Sequence, residues 1–220
     1  MIHRLHSTVS TMKDAAALAA QGAPHGTVVV AESQTAGIGR HGHSWHSGPD
    51  GGLYLSLILR LKDPGPHLTM ALGLAVQSTI PDSDLRWPND VMLNDRKVAG
   101  IMVQAAEGAL IAGIGVNVNQ SSFPDDLQAI ATSLYLETGH PHDMDALLDR
   151  ILAESLRYVQ LSKSEILRRF EARSTYVRGR EVEVDGRIRG TTTGLDEHGF
   201  LLVQTPTGIE KIISGGVRPL

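Results

Sequence analysis

Two basic residues lie in short motifs whose composition suits the binding of anions. Arg40 belongs to the glycine-rich run Gly37-Ile38-Gly39-Arg40-His41-Gly42, and Lys97 begins the run Lys97-Val98-Ala99-Gly100. A glycine-rich loop can bring backbone N–H groups and a guanidinium onto an anion, and a lysine followed by small residues can project from a strand into a cleft. Taken singly, the two runs are also typical of a surface loop and a solvent-facing lysine.

The run from Gly37 to Gly42 also matches the pattern G-x-G-x-x-G of dinucleotide-binding folds. That pattern requires a helix that opens at its last glycine. The residues that follow here, HSWHSGPDGG, are polar and glycine-rich and show no helical pattern. The sequence therefore argues against a dinucleotide site and leaves a glycine-rich loop that carries an arginine.

Two further motifs carry amides and a carboxylate. In Arg86-Trp87-Pro88-Asn89-Asp90 the proline fixes the backbone, and the Asn-Asp pair offers hard oxygen ligands suited to Mg²⁺ held with substrate phosphates. In the run Gly113–Asn119 strand alternation places Asn117 and Asn119 on one face. The first motif is equally typical of a turn beside a packed tryptophan, and the second of a strand with a solvent-facing side.

Both helices and strands are predicted to position these motifs. Apolar periodicity and capping residues predict helices at 10–21, 68–80, from Asp143 and at 163–173, and strands at 28–31, 53–61, 91–93, 97–104 and 110–118. Asn94-Asp95 reads as a hairpin turn. From Val177 short alternating runs predict a small antiparallel barrel. The order is not a regular βαβ alternation, so we expect an α+β fold with domains at 1–173 and 174–220.

Composition excludes several classes of protein. The net charge is −4 and the pI about 6.2, which argues against a protein that coats nucleic acid. The absence of cysteine excludes disulfides, thiol catalysis and cysteinyl zinc sites. No apolar run has the length of a signal peptide or of a bilayer span, so we expect a cytoplasmic protein without a membrane partner.

Taken together and in order, these segments resemble biotin protein ligases. The family's patterns correspond here to Ser7-Thr8, the run from Gln34 to Gly42 with Trp45 after it, Arg86-Trp87-Pro88-Asn89-Asp90, Lys97-Val98-Ala99-Gly100, the GIGVNVN strand and Ala131-Thr132-Ser133-Leu134. The resemblance extends into the C-terminal barrel, where Gly215-Gly216 lies near the end. Each motif is modest alone, but their common order is specific.

The resemblance implies a catalytic domain similar to class II aminoacyl-tRNA synthetases, with a mixed sheet flanked by helices, followed by an SH3-like barrel. It implies two half-reactions. Biotin and ATP with Mg²⁺ give biotinyl-5′-AMP and pyrophosphate, and a lysine of a biotin carboxyl carrier protein then takes the biotinyl group. The family often forms homodimers by pairing sheet edges, and the uncharged strand at 110–118 is either central or paired across an interface. We expect a homodimer and no nucleic-acid partner, since the ligase motifs begin at Ser7 and leave no room for a DNA-binding module.

The resemblance also assigns residues. It implies catalytic roles for Arg40, Lys97 and Asp90, and metal binding by Asn89 and Asp90. It implies ATP binding by Arg40, Trp45, Asn89, Asp90, Lys97 and Asn117, with Trp45 stacked on adenine. Biotin would be held by Ser7, Thr8, Gln34, Gly37, Ile38, Gly39, Arg40, Lys97 and Gly100.

The chain departs from the family pattern at two positions in the glycine-rich loop. The family usually has arginine where this chain has Ile38, and often a basic residue where it has His43. The backbone N–H of residue 38 is available whatever the side chain. Two alternatives remain open at this stage: a lipoate or octanoate ligase or transferase of the same fold, and a catalytically degenerate ligase-like binding protein.

Overall fold

A computed structural model describes residues 1–49, 51–62, 65–106 and 108–220. Its larger sheet contains β1 (Ile2–Thr8), β2 (Val28–Gln34), β3 (Gly52–Leu59), β4 (Asp84–Arg86), β5 (Asp90–Leu93), β6 (Arg96–Ala106) and β7 (Ala109–Asn117). These seven strands lie in the order β1-β2-β3-β7-β6-β5-β4. Only β1 and β2 pair in parallel, and the other neighbours are antiparallel. The expected mixed sheet is confirmed.

Helices cover both faces of this sheet. They are α1 (Thr11–Ala20), α2 (His67–Gln77), α3 (Leu134–Thr138), α4 (Met144–Tyr158) and α5 (Lys163–Ala172). Alternate residues of the central strands face opposite sides: Ile58 and Ile111 pack with Met12 of α1, whereas Leu57 packs in the core formed with α2, α4 and α5. All residues of β3 are buried, which explains why its sequence is a continuous apolar run.

The C-terminal part forms a second, antiparallel sheet. Its strands are β8 (Arg178–Val184), β9 (Ile188–Leu195), β10 (Leu201–Thr205), β11 (Gly208–Ile212) and β12 (Val217–Pro219), in the order β11-β10-β9-β8-β12. This is the small SH3-like module expected from the sequence. It contacts the larger unit through Trp87. The indole Nε1 of this buried residue donates a hydrogen bond to the carbonyl of Gly199 at 2.9 Å.

The structure confirms several local predictions and adds three elements. Asn94 and Asp95 form the β5–β6 turn with φ of 48° and 58°, and Asp143 caps α4 by accepting from the N–H groups of Asp145 and Ala146. The elements β1, β4 and α3 were not predicted. The uncharged strand, β7, is central and pairs with β3 and β6. No helix in the described ranges is long and apolar enough to cross a membrane.

Candidate active site

A cavity lies on the α1 face of the larger sheet, where the first turn of α1 meets the ends of the glycine-rich loop. Thr11 and Met12 supply one wall, and β3, β6 and β7 supply the floor. The structure brings eight of the residues predicted from the sequence to this cavity: Gln34, Ile38, Gly39, Arg40, Trp45, Asn89, Lys97 and Gly100. Residues that are far apart in the chain therefore converge on one site.

Two glycines place no side chain on the floor of the cavity, and the Trp45 indole lies there instead. Gly100 and Gly115 face each other across β6 and β7. A Cβ on Gly115 would lie 2.5 Å from Cε2 of Trp45, and one on Gly100 would lie 2.8 Å from its Cζ3. The free volume that remains is about 50 Å³, enough for a few water molecules. Trp45 therefore occupies the part of the floor that the two glycines leave open.

One end of the cavity is polar and hydrogen-bonded. Oε1 of Gln34 accepts from the backbone N–H of Thr11 at 2.9 Å and from its hydroxyl at 3.1 Å. Because an N–H can only donate, these contacts fix the orientation of the Gln34 amide, whose Nε2 donates to Oγ of Ser47 at 2.9 Å. Because the Thr11 hydroxyl donates its hydrogen to Gln34, it accepts from Oγ of the buried Ser56 at 2.8 Å.

The glycine-rich loop folds into a hairpin that closes over the cavity. The N–H of Gly39 donates to the carbonyl of His43 at 2.8 Å, and that of Trp45 donates to Gly37 at 3.0 Å. A 3₁₀ turn, Arg40–Gly42, forms the tip. Ile38 packs against the apolar cluster under α1. The hairpin thereby directs Trp45 onto the floor and Arg40 toward the far end of the cavity.

That far end is cationic and is organised by Asp90. Its Oδ2 accepts from Nη2 and Nε of Arg86 at 2.7 and 3.2 Å, and its Oδ1 lies 2.6 Å from Nζ of Lys97. Burial raises the pKa of Asp90, but the charges and hydrogen bonds of Lys97 and Arg86 outweigh it, so the pKa is lowered. Asp90 is therefore an ionised carboxylate held between two cations.

Arg40 is the third cation at this end. Its Nη1 donates to Oδ1 of Asn89 at 2.8 Å, which ties the tip of the hairpin to the β4–β5 turn. Burial lowers the pKa of Arg40, whereas the charges of Asp90 and Asp185 raise it, with a net lowering. Asp185 belongs to the turn between β8 and β9, so the C-terminal module contributes a negative charge near the hairpin.

The residues predicted to hold magnesium do not fit that ion. Both oxygens of Asp90 are paired with cations, and the amide of Asn89 accepts from Arg40 while it donates to the carbonyl of Ile101 at 3.1 Å. Mg²⁺ needs an octahedral shell of oxygen ligands, and here it would have to displace two cations. In the part of the chain that the structure describes, no group of His, Asp and Glu side chains converges as an alternative metal site.

Ser7 and Thr8 do not line the cavity. They lie on the edge strand β1, and the Thr8 hydroxyl donates to Oδ2 of Asp14 at 2.5 Å. The next Ser-Thr pair lies closer to it: Thr11 lines the cavity, and Ser10 is fully buried just before α1. In the described chain the Ser10 hydroxyl has no hydrogen-bond partner. The sequence contained the signal, a second Ser-Thr pair at the start of a predicted helix.

Asn117 supports the site from outside the cavity. It is buried, and its Nδ2 donates to the carbonyl of Thr132 at 2.9 Å and, more weakly, to that of Lys97 at 3.4 Å. The N–H of Thr132 in turn donates to the carbonyl of Lys97 at 3.0 Å. Asn117 and the 131–132 segment therefore hold the backbone from which Lys97 projects.

Comparisons with known proteins agree with this geometry. Residues 3–121 match the Biotin/lipoate A/B protein ligase family, and residues 178–217 match the Biotin protein ligase C terminal domain. The bifunctional ligase/repressor BirA of Bacillus subtilis is 38% identical over 95% of this chain and 71% of its own length. The biotin–[acetyl-CoA-carboxylase] ligase of Mycobacterium tuberculosis is 33% identical over 95% of this chain and 85% of its own.

A solved structure extends the agreement to the whole fold. The biotin protein ligase from Aquifex aeolicus in complex with biotin and ATP superposes with a TM-score of 0.89 and 32% identity, covering 100% of this chain and 99% of that one. Both the catalytic unit and the C-terminal module therefore have counterparts in that enzyme. The chain belongs to the biotin/lipoate protein ligase family.

Proposed function

We propose that this chain is an ATP-dependent biotin protein ligase, which makes biotinyl-5′-AMP and transfers biotin to a lysine of a biotin carboxyl carrier protein. One observation carries the proposal: a single cavity has a hydrogen-bonding end at Thr11 and Gln34 and a cationic end at Arg40 and Lys97. Biotin has a matching polarity, with a ureido group at one end and a carboxylate at the other. The Aquifex aeolicus ligase, whose solved complex holds biotin and ATP, supports the same assignment.

In the first half-reaction an oxygen of the biotin carboxylate attacks the α-phosphorus of ATP. The new C–O–P linkage forms as the bond to the bridging oxygen breaks, and pyrophosphate leaves. Two anions must meet for this step, so the cations Arg40 and Lys97 offset their repulsion and stabilise the charge that develops. The hairpin that carries Trp45 covers the mixed anhydride and keeps water from it.

In the second half-reaction the amine of the carrier lysine attacks the acyl carbon of the adenylate. An amide bond forms, the bond to the phosphate oxygen breaks, AMP leaves and the attacking amine releases its proton. The cations that stabilised the first transition state also stabilise the AMP phosphate as a leaving group. The hairpin must open for this step, because the carrier lysine has to reach the acyl carbon.

We assign the ureido group to the polar end of the cavity. Gln34, Thr11 and Ser10 replace the Ser7 and Thr8 of the sequence-based prediction, because only the later pair lies at the cavity wall or is buried beside it. The ureido carbonyl accepts hydrogen bonds and its two N–H groups donate, which suits hydroxyl and amide partners. The dithiolane of lipoate has no such groups and would leave buried polar atoms unsatisfied.

Pyrophosphate release is the experiment that tests this function. Purified protein with ATP should release pyrophosphate when biotin is added and not when lipoate or octanoate is added. Release with lipoate alone would favour the lipoate alternative. Absence of release with every acid, combined with biotin binding by calorimetry, would identify a degenerate binding protein.

Magnesium accompanies the triphosphate in this proposal. The side-chain oxygens of Asn89 and Asp90 already face cations, so we expect the phosphate oxygens of ATP to bind the ion. Its chemistry when bound is to neutralise phosphate charge. Arg40 and Lys97 are the groups of this chain that receive the same phosphates.

We propose that the protein forms a homodimer through the free edge of its larger sheet. The strand β1 is an outer edge with a mostly exposed surface, and Met1 before it and Ile2 at its start are exposed apolar residues. An unpaired edge of this kind can add strands from a second copy. Sedimentation at micromolar protein, with and without biotin and ATP, should show a dimer, and a monomer under both conditions would refute the assignment.

A further inference from the structure

The Asn-Asp pair of the Arg86–Asp90 motif is engaged by the cations of the site. We propose that Asp90 and Asn89 are positioning residues that set Lys97 and Arg40 in place for the two reacting anions, and that neither binds magnesium. The inference rests on the proposed function, because it concerns how the carboxylate of biotin and the phosphates of ATP are received.

The local backbone brings Asp90 between its two partners. Arg86 and Asp90 face each other across β4 and β5, so Arg86 reaches the carboxylate from the neighbouring strand. On the other side, the register of β5 and β6 shifts between Val91 and Met92, which is the irregularity that re-aims a side chain at a strand. Lys97 reaches Oδ1 of Asp90 across this irregularity.

The outer end of the Lys97 side chain is confined on several sides. A Cβ on Gly100 would lie 2.9 Å from both Cε and Nζ of Lys97, so the lysine runs closely past the bare glycine. Its Nζ lies 5.1 Å from the centre of the Trp45 ring, within the range of a cation–π contact. With Asp90 beyond it, the ammonium is held at the cavity before any ligand arrives, which reduces the entropy lost on binding.

Asn89 positions Arg40 as Asp90 positions Lys97. One side of its amide is fixed by donation to the carbonyl of Ile101, and the other accepts from Arg40. An amide holds the guanidinium without neutralising it, so the charge of Arg40 stays available to an anion. At this end the cations Arg40, Arg86 and Lys97 outnumber the carboxylates of Asp90 and Asp185, so the net charge is positive. Such a site attracts carboxylate and phosphate and repels a free divalent cation.

The variant Asp90→Asn separates the two roles, because it removes the charge and keeps the shape. We expect the affinity for biotin alone, measured by calorimetry without ATP or metal, to fall at least about tenfold. We expect the magnesium concentration that gives half-maximal pyrophosphate release to stay within about twofold of the wild type. A rise of that concentration by tenfold, or unchanged metal-free affinity for biotin, would overturn the proposal.

A double-mutant cycle shows whether Asp90 acts through Lys97. In a Lys97→Met background, Asp90→Asn should weaken biotin binding no further, because the group that it positions is gone. A further loss of tenfold or more in that background would mean a role independent of Lys97 and would overturn the proposal. The matched control is Glu165→Gln on α5, another carboxylate bound to two arginines but outside the cavity, which should leave both readouts unchanged.

The variant Asn89→Asp decides the question if Asp90→Asn does not fold. The new carboxylate would turn the contact with Arg40 into an ion pair and hold the hairpin closed, so biotinyl-5′-AMP should dissociate at least about threefold more slowly at an unchanged magnesium requirement. A lowered magnesium requirement would reveal a metal ligand. Wild-type pyrophosphate release, measured alongside, reports on the proposed function separately.

Discussion

The exchange Thr11→Val tests the polar end of the cavity with little change in shape. Its hydroxyl makes two hydrogen bonds, a partly buried one to Gln34 at 3.1 Å and a buried one to Ser56 at 2.8 Å. Each bond contributes about 1 kcal/mol net, so the free energy of unfolding should fall by about 2 kcal/mol. For a chain of this length that corresponds to a decrease in Tm of about 4–8 °C.

The effect on ligand binding should be separable from the effect on stability. The backbone N–H of Thr11 still holds Oε1 of Gln34, so the amide stays oriented while one polar partner of the ureido group is lost. We expect the affinity for biotin to fall about tenfold, equivalent to about 1.4 kcal/mol. Calorimetry below the unfolding transition of both proteins measures this directly.

Thr8→Val is the matched control, since Thr8 lies three residues earlier and its hydroxyl donates to Asp14 at the edge of the sheet. It should change the affinity for biotin by less than about twofold, because a partly exposed hydrogen bond contributes little. Equal losses for both variants, or a larger loss for Thr8→Val, would refute the assignment of Ser10 and Thr11 and restore that of Ser7 and Thr8.

Four other variants and conditions test the cationic end. Lys97→Ala should strongly lower the rate of adenylation, because Lys97 faces the cavity, and should also lower the Tm, because Oδ1 of Asp90 loses its ion pair. An adenylation rate equal to the wild type would exclude Lys97 from the site. Arg40→Gly should release biotinyl-adenylate that labels lysines of other proteins in solution, since the hydrogen bond to Asn89 is lost. If no adenylate is released and the affinity for biotin is unchanged, Arg40 lies outside the closed hairpin. Ile38→Arg should tighten binding of biotin or adenylate by up to about 1–2 kcal/mol, and unchanged binding would mean that only the backbone of residue 38 is used. The pKa of Asp90 is lowered in the folded protein despite its burial. Its carboxylate therefore stabilises the fold above its unfolded pKa of about 3.9, and this stabilisation is lost as the pH falls. Between pH 7 and pH 3, urea unfolding should show a smaller loss of stability for Asp90→Asn than for the wild type.

Much of the fold followed from local signals. Asn94-Asp95 predicted its hairpin because these residues tolerate positive φ, and Asp143 predicted the start of α4 because its carboxylate caps free N–H groups. The strand β1 was missed because its sequence, IHRLHST, is half exposed at an edge and lacks a sustained apolar alternation. Its pairing partner β2 lies across α1 in the sequence, so only tertiary structure reveals it.

The site was predicted in its residue types better than in its arrangement. Ser7-Thr8 and Ser10-Thr11 are the same dipeptide three residues apart, and only the start of α1 distinguishes the pair whose threonine lines the cavity. The sequence places Trp45 in the site, and the structure adds that its indole lies on Gly100 and Gly115. No local pattern reports that two glycines of different strands face each other, because the register of a sheet is set by the whole fold.

The Asn89-Asp90 pair shows why residue types alone cannot separate a metal site from a site for anions. A carboxylate beside an amide can bind a metal ion, or it can hold the cations that bind an anion. The atoms that lie opposite the pair decide which of the two it does. Here the pairing of β4 with β5 supplies Arg86, the shifted register of β5 and β6 supplies Lys97, and the hairpin supplies Arg40. An enzyme that must bring a carboxylate onto a phosphate needs cations more than it needs another anion. Asp90 meets that need by fixing Lys97 close to the reacting groups while the net charge there stays positive.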